Sequence, residues 1–184
     1  MSDFWVFGYG SLMWRPGFDH REAAPARLAG AHRSLCVYSW FHRGTKERPG
    51  LVLGLDRGGS CRGVAFKVAG RNRDSVLAYL RERELVTEVY HETWRPVVLL
   101  DRRKPVTALA YVVDRDHAQY AGRLAPERVL DLVRDGEGRS GGNAEYVLNT
   151  VGHLRQLGIR DAMLERIAGS LARPPSGSDR QREA

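Results

Sequence analysis

The stretch "LVLGLDRGGSCRGVAFKVAGRNRDSVLAYLRERE", Leu51 to Glu84, changes its period halfway. From Leu51 to Val68 the apolar residues form two short strand-like runs. Asp56–Gly59 supplies turn residues between them, which predicts a hairpin with Arg57 inside the turn. From Asn72 onward Val76, Leu77 and Leu80 fall at helical spacing, with Asn72 or Asp74 available as N-cap. Working outward, "DFWVFGYGSLMW" (Asp3–Trp14) opens as a strand, and a loop precedes a further strand over about Ala31–Trp40. On the other side, "VYHETWRPVVLL" and "VTALAYVV" (Val106–Val113) read as strands, Pro96 placing part of the first at an edge or bulge. Helical spacing then covers Pro126–Arg134, Gly142–Leu157 and Ile159–Leu171, with Gly158 as a C-cap. Strands first and helices afterwards predict an α+β domain rather than an alternating parallel α/β one.

The chain has 184 residues, enough for one domain with a proper core, expected over residues 1–172. The final stretch "RPPSGSDRQREA", residues 173–184, has the composition of a disordered tail. No apolar run approaches the roughly 20 residues that span a bilayer. The N-terminus carries an acid and lacks the basic region of a signal peptide, so a cytoplasmic location is expected. Cys36 and Cys61 do not form a CxxC pair, and Cys36 lies in the apolar run "SLCVYSW", as a core thiol would. The formal net charge of +7 comes from 26 Arg and 3 Lys against 22 acids, a balance that favours anionic partners. The arginines are scattered and interleaved with acids, without a basic, aromatic-studded stripe, which favours a solvated arginine-rich surface over a nucleic-acid interface, and small anionic substrates would benefit from the same field. The six His are dispersed, so no metal site is expected. Neither a dinucleotide fingerprint nor a phosphate-binding GxxxxGK[ST] loop is present, and no cofactor is expected.

Three places carry candidate chemistry. Gly8-Tyr9-Gly10-Ser11 ends the first strand with residues that fit either a tight turn or a binding loop. On the Asn72–Glu84 helix, taking about 100° per residue, Val76, Leu77 and Leu80 define a stripe centred near ~50°. Glu84 falls near ~80°, in line with it, and Glu82 near ~240°, facing away. An inward carboxylate is costly unless paired or functional, and burial raises its pKa toward that of a general base or acid. A buried ion pair with Arg73 or Arg33 would also explain it. Finally, Asn143, Tyr146 and Thr150 line one polar face of a helix fronted by Gly141 and Gly142, as either an anion site or an exposed rim would.

Taken together, "VFGYGSLMW" (Val6–Trp14), "HRSLCVYS" (His32–Ser39), "RGTKERPGLVLGLDRGGSCRGVAF" (Arg43–Phe66), "YLRERELVT" (Tyr79–Thr87) and "GGNAEYVLNTVGHLRQLGI" (Gly141–Ile159) resemble the ChaC-type, glutathione-specific γ-glutamylcyclotransferases. The resemblance runs in the family's order over roughly Asp3–Leu171. It implies a small mixed β-barrel with flanking helices, and cleavage of glutathione into 5-oxoproline and cysteinylglycine without a cofactor. The family's catalytic glutamate follows the pattern Tyr79-Leu80-Arg81-Glu82-Arg83-Glu84, which places that role on Glu84, the residue chosen by the helical wheel. The backbone N–H groups of Tyr9, Gly10, Ser11 and Leu12 are expected to bind the γ-glutamyl unit, with Tyr146 reaching the same pocket. Arg43, Lys46 and Arg33 are candidates for the carboxylate at the other end of the substrate. Vertebrate-like members follow the glutamate with Gly-Gly-Tyr, whereas this chain has Leu85-Val86-Thr87-Glu88-Val89-Tyr90. The alternatives are another γ-glutamyl amine or amino acid as substrate, a basic nucleic-acid-binding domain, and a non-catalytic module that kept the barrel.

Overall fold

The computed structural model describes residues 2–173, so the tail expected over 173–184 lies, apart from Arg173, outside the described residues. Its frame is a closed five-stranded barrel of β1 (Phe4–Gly8), β2 (Glu22–Ser39), β3 (Gly50–Val68), β4 (Tyr90–Leu99) and β5 (Lys104–Val113). The order around the barrel is β1-β3-β2-β4-β5. All pairings are antiparallel except the closing one, where β1 runs parallel to β5 through Trp5↔Ala108 and Val6↔Leu109. Helix α1 (Arg73–Glu84) follows β3, while α2 (Pro126–Asp135), α3 (Asn143–Gln156) and α4 (Ala162–Leu171) follow β5. This is the mixed barrel with flanking helices that the sequence led us to expect.

The expected hairpin at Asp56–Gly59 is not a hairpin. β3 runs unbroken for 19 residues, and β2 pairs with it from Glu22↔Lys67 to Ser39↔Gly50, beginning well before the expected start at Ala31. The register shifts between Ala29↔Ser60 and Ala31↔Arg57, where Gly30, Gly58 and Gly59 all take positive φ (82°, 98° and 68°). Glycines that read as a chain reversal instead form a bulge that bends a long two-stranded ribbon around the barrel. Pro96 lies one residue before β4 begins to pair with β2 at Val97↔Leu28, an edge position that its missing N–H tolerates.

The barrel interior is apolar, with Phe7, Leu28, Leu51, Leu55, Leu99 and Ala108 fully buried. Helices α2, α3 and α4 extend this core through Val133, Val147, Leu154 and Leu164, and α1 closes a second cluster with Val76 and Leu80 against Val6 and Tyr111. α3 ends as expected at Gly158 (φ 65°), with Gly158 N–H bonding Arg155 O and Ile159 N–H bonding Leu154 O. Cys36 and Cys61 are buried free thiols, and burial raises the pKa of Cys36 to about 12. Among the described residues no helix is long and apolar enough to cross a membrane.

Candidate active site

β1 delivers the chain to one end of the barrel and stops at Gly8. A short 3-10 turn, Ser11–Met13, follows, closed by Met13 N–H to Gly10 O (2.9 Å) and Arg15 N–H to Ser11 O (2.8 Å). Among the described residues, the N–H groups of Tyr9, Gly10, Ser11 and Leu12 meet no acceptor. A side chain at Gly8 would press on Leu12 Cβ at 3.1 Å, whereas one at Gly10 would only touch Leu53 Cδ1 at 3.7 Å. Crowding therefore favours glycine at the first position, and the second borders Leu53. The turn is braced from below by Arg33, which is buried and donates through Nε to Tyr9 O (2.6 Å) and through Nη2 to Arg62 O (2.7 Å). Its Nη1 pairs with Asp161, the N-cap of α4 (3.3 Å). Arg33 is thus committed to structure, which corrects its candidacy as a carboxylate receptor. The Leu12 side chain itself goes to the core, where it packs with Val6 and Leu80.

Glu84 is the last residue of α1, and its side chain is 18% exposed while Glu82 faces solvent. Among the described residues it is the carboxyl group pushed above its ordinary value of 4.5, because burial outweighs the pull of Arg83. Asp3, Asp56, Glu92 and Glu165 are all held low by hydrogen bonds and cations. A largely buried carboxyl whose pKa is raised by desolvation is the pattern of a proton-transferring group. Its partner is neither Arg73 nor Arg33. Arg73 lies over the rings of Phe4 and Trp94. Arg83 Nε instead approaches Glu84 Oε1 at 3.2 Å, while its Nη groups donate to Arg15 O (2.7 Å), Tyr79 Oη (2.9 Å) and Ser11 Oγ (2.9 Å). One guanidinium therefore ties the turn after β1 to the carboxylate at the end of α1. Since Ser11 Oγ accepts this bond, its own proton is free to donate.

The Glu84 charge reaches four phenols, Tyr9, Tyr90, Tyr111 and Tyr146, of which Tyr111 gives its hydroxyl to Glu92. Burial raises the pKa of Tyr9, Tyr90 and Tyr146, and the nearby Glu84 charge adds to the shift in each, so all three stay protonated at neutral pH. Tyr146 projects from the first turns of α3, and Arg43 lies over its ring (5.3 Å to the centroid) while donating to Gly142 O at 3.2 Å. No carboxylate among the described residues approaches Arg43 within 4 Å. Lys46 sits instead over Trp40. The polar face of α3 is not an exposed rim, because Asn143 and Thr150 are buried. The Asn143 carboxamide takes both backbone groups of Leu51, accepting from its N–H (2.6 Å) and donating to its O (2.8 Å), so that α3 is stitched to β3 like a missing strand. Asn143→Ala leaves two buried peptide groups unpaired. It is expected to lower stability by about 2–3 kcal/mol in a denaturant titration.

The family model for ChaC-like proteins matches residues 4–173. The chain is a ChaC-like protein. Glutathione-specific γ-glutamylcyclotransferase of Escherichia coli K12 is 34% identical over 157 residues, covering 85% of this chain and 68% of that one. Glutathione-specific γ-glutamylcyclotransferase 1 of Homo sapiens is 35% identical over 159 residues, covering 84% and 71%. A yeast γ-glutamylcyclotransferase structure described as specific to glutathione superposes with a TM-score of 0.83 at 21% identity, covering 93% of this chain and 96% of that one. That likeness establishes the fold. In this ChaC-like chain Arg83 links Ser11 to Glu84, the Glu84 charge reaches Tyr9 and Tyr146, and Arg43 lies over the Tyr146 ring. Sequence reasoning missed Arg83 as the link between turn and carboxylate, and missed Tyr90, whose hydroxyl donates to Leu53 O at 2.8 Å. The two clefts of about 450 and 220 Å³, lined respectively by Arg48, Arg128 and Asp135 and by Phe18, Asn72 and Tyr79, include none of these ChaC-like site residues.

Proposed function

We propose that this chain cleaves glutathione into 5-oxoproline and cysteinylglycine, with Glu84 moving the proton. The observation that carries this reading is a largely buried carboxyl group with a raised pKa, its charge reaching the neutral phenols of Tyr9, Tyr90 and Tyr146, and tied by Arg83 to a turn whose N–H groups are unclaimed. The glutathione-specific naming of relatives at 34–35% identity supports the choice of substrate. In the reaction the substrate's α-amine attacks its own γ-glutamyl carbonyl. A ring C–N bond forms, the amide C–N bond to cysteine breaks, and no water is consumed. The attack is intramolecular, so the enzyme's work is proton transfer and charge stabilisation. Glu84 takes a proton from the α-ammonium and returns one to the leaving nitrogen. The N–H groups of Tyr9 to Leu12 and the Ser11 hydroxyl offer donors to substrate oxygens, where a preorganised donor is worth most. Arg43 meets an anionic group at the Tyr146 side.

The test is a panel of glutathione, γ-glutamylamines and γ-glutamyl amino acids, with 5-oxoproline quantified by mass spectrometry. Turnover of glutathione with little release from the others is expected. Release from the others alone would keep the chemistry and reassign the substrate. Arg83→Met gives a second check, because this guanidinium lowers the Glu84 pKa. Without it the proton is held to higher pH, so the acid limb of kcat/KM is expected to move upward in pH, and kcat at neutral pH to fall.

A further inference from the structure

The free edge of β3 determines which way two phenols point their protons. One edge of β3 is occupied by β2, through Tyr38↔Leu51 and Leu35↔Leu53, while β1 pairs only with Val64–Val68. The peptide groups of Leu51 and Leu53 are left facing α3 and the start of β4. Asn143 takes both groups of Leu51. Leu53 is divided between two tyrosines: its N–H donates to Tyr146 Oη (3.3 Å), and its carbonyl accepts from Tyr90 Oη (2.8 Å). An amide N–H can only donate and a carbonyl can only accept, whereas a phenol carries one proton and can also accept. Tyr146 is therefore fixed as acceptor from the peptide, and its proton points elsewhere. Tyr90 has given its proton to the carbonyl, and its remaining lone pair points elsewhere.

We propose that the Leu53 peptide gives these two tyrosines opposite polarity toward the substrate, making Tyr90 the acceptor for the α-amine N–H and Tyr146 a donor to a substrate oxygen. The γ-glutamyl end presents one cluster of donors, its amine, and several acceptors in its carboxylate and carbonyl. Among Tyr9, Tyr90 and Tyr146, Tyr90 is the one whose proton is bound to protein, and it is the match for the amine, while Tyr111 gives its hydroxyl to the Glu92 carboxylate. Arg43, stacked on Tyr146, reinforces the donor side. Tyr90 would hold the amine while Glu84 removes its proton. This deepens the proposed glutathione reaction and rests on it.

The experiment compares two ligands in one protein. On a Glu84→Gln background, calorimetry measures the affinity of glutathione and of its des-amino analogue, in which hydrogen replaces the α-amino group. With Tyr90 intact, glutathione binds more tightly than the analogue. Tyr90→Phe is expected to weaken glutathione about tenfold or more and to leave the analogue unchanged, as loss of a hydrogen bond to a charged group requires. Tyr146→Phe weakens both ligands alike. The ratio of the two affinities is independent of the folded fraction. Should the Phe variant fail to fold, 3-fluorotyrosine at position 90 keeps the ring and the Leu53 bond while making the oxygen a poorer acceptor, and it lowers the ratio in the same direction. An unchanged ratio in a folded variant would overturn the assignment. If neither ligand binds and the unmutated chain releases no 5-oxoproline from glutathione, the proposed function itself fails, which is a separate result.

Discussion

Glu84→Gln is expected to fold, to bind glutathione, and to release 5-oxoproline roughly 10²- to 10⁴-fold more slowly than the unmutated chain, the range for loss of a general acid–base group. The amide keeps the size of the side chain and can still receive the Arg83 guanidinium, so the link from α1 to Ser11 survives. Only the proton acceptor is gone. Stability should move the other way. The Glu84 pKa is higher in the folded chain than its ordinary 4.5, so the folded state holds that proton more tightly than the unfolded one. The resulting stabilisation is complete below about 4.5 and is lost as pH rises through the folded value. Above the folded value the ionised Glu84 is therefore a burden on the fold, and there Glu84→Gln should melt at or above the temperature of the unmutated chain. Near pH 4 the difference should vanish. Thermal melts at the two pH values, alongside turnover, separate loss of chemistry from loss of structure.

The second large effect is on stability. Arg33→Met removes a side chain only 3% exposed that serves Tyr9 O, Arg62 O and the Asp161 carboxylate at once. Methionine fills much of the volume but leaves Tyr9 O without its donor, Arg62 O with only the Cys61 thiol, and Asp161, 15% exposed, without its cation. Breaking a buried ion pair from one side costs about 3–5 kcal/mol. For a chain of this length that corresponds to a melting temperature lower by roughly 10 °C. Because Tyr9 O is one of the groups released, residual activity in the folded fraction should fall as well, through the turn that carries Tyr9 to Leu12. A melt within a degree or two of the unmutated chain would show that the Arg33 network contributes little.

The inward carboxylate of Glu84 was legible because a helix repeats its geometry. Val76, Leu80 and Glu84 lie four residues apart, and packing of the first two dictates where the third must point. The same wheel puts Arg83 within about 20° of Val76, so its inward course was also written in the spacing. What it holds there was not, since Ser11 lies 72 residues away. The barrel's long ribbon was misread at Gly58 and Gly59 because positive φ serves a bulge as well as a turn, and only the pairing with Gly30's strand distinguishes them. Tyr90 gave no local sign. Its bond to Leu53 depends on a free sheet edge, and an edge is a property of the closed barrel rather than of any window of sequence. Asn143 was read as part of a polar face without its partner for the same reason, because Leu51 is 92 residues distant.

The central claim is that an amine within the substrate, and not water, attacks the γ-glutamyl carbonyl. It is tested most directly by incubating the purified chain with glutathione in ¹⁸O-enriched water and weighing the products by mass spectrometry. The account predicts 5-oxoproline and cysteinylglycine in equal amounts, neither having gained ¹⁸O from the cleavage. Glutamate carrying ¹⁸O, or no cleavage of glutathione by the folded protein, would contradict it.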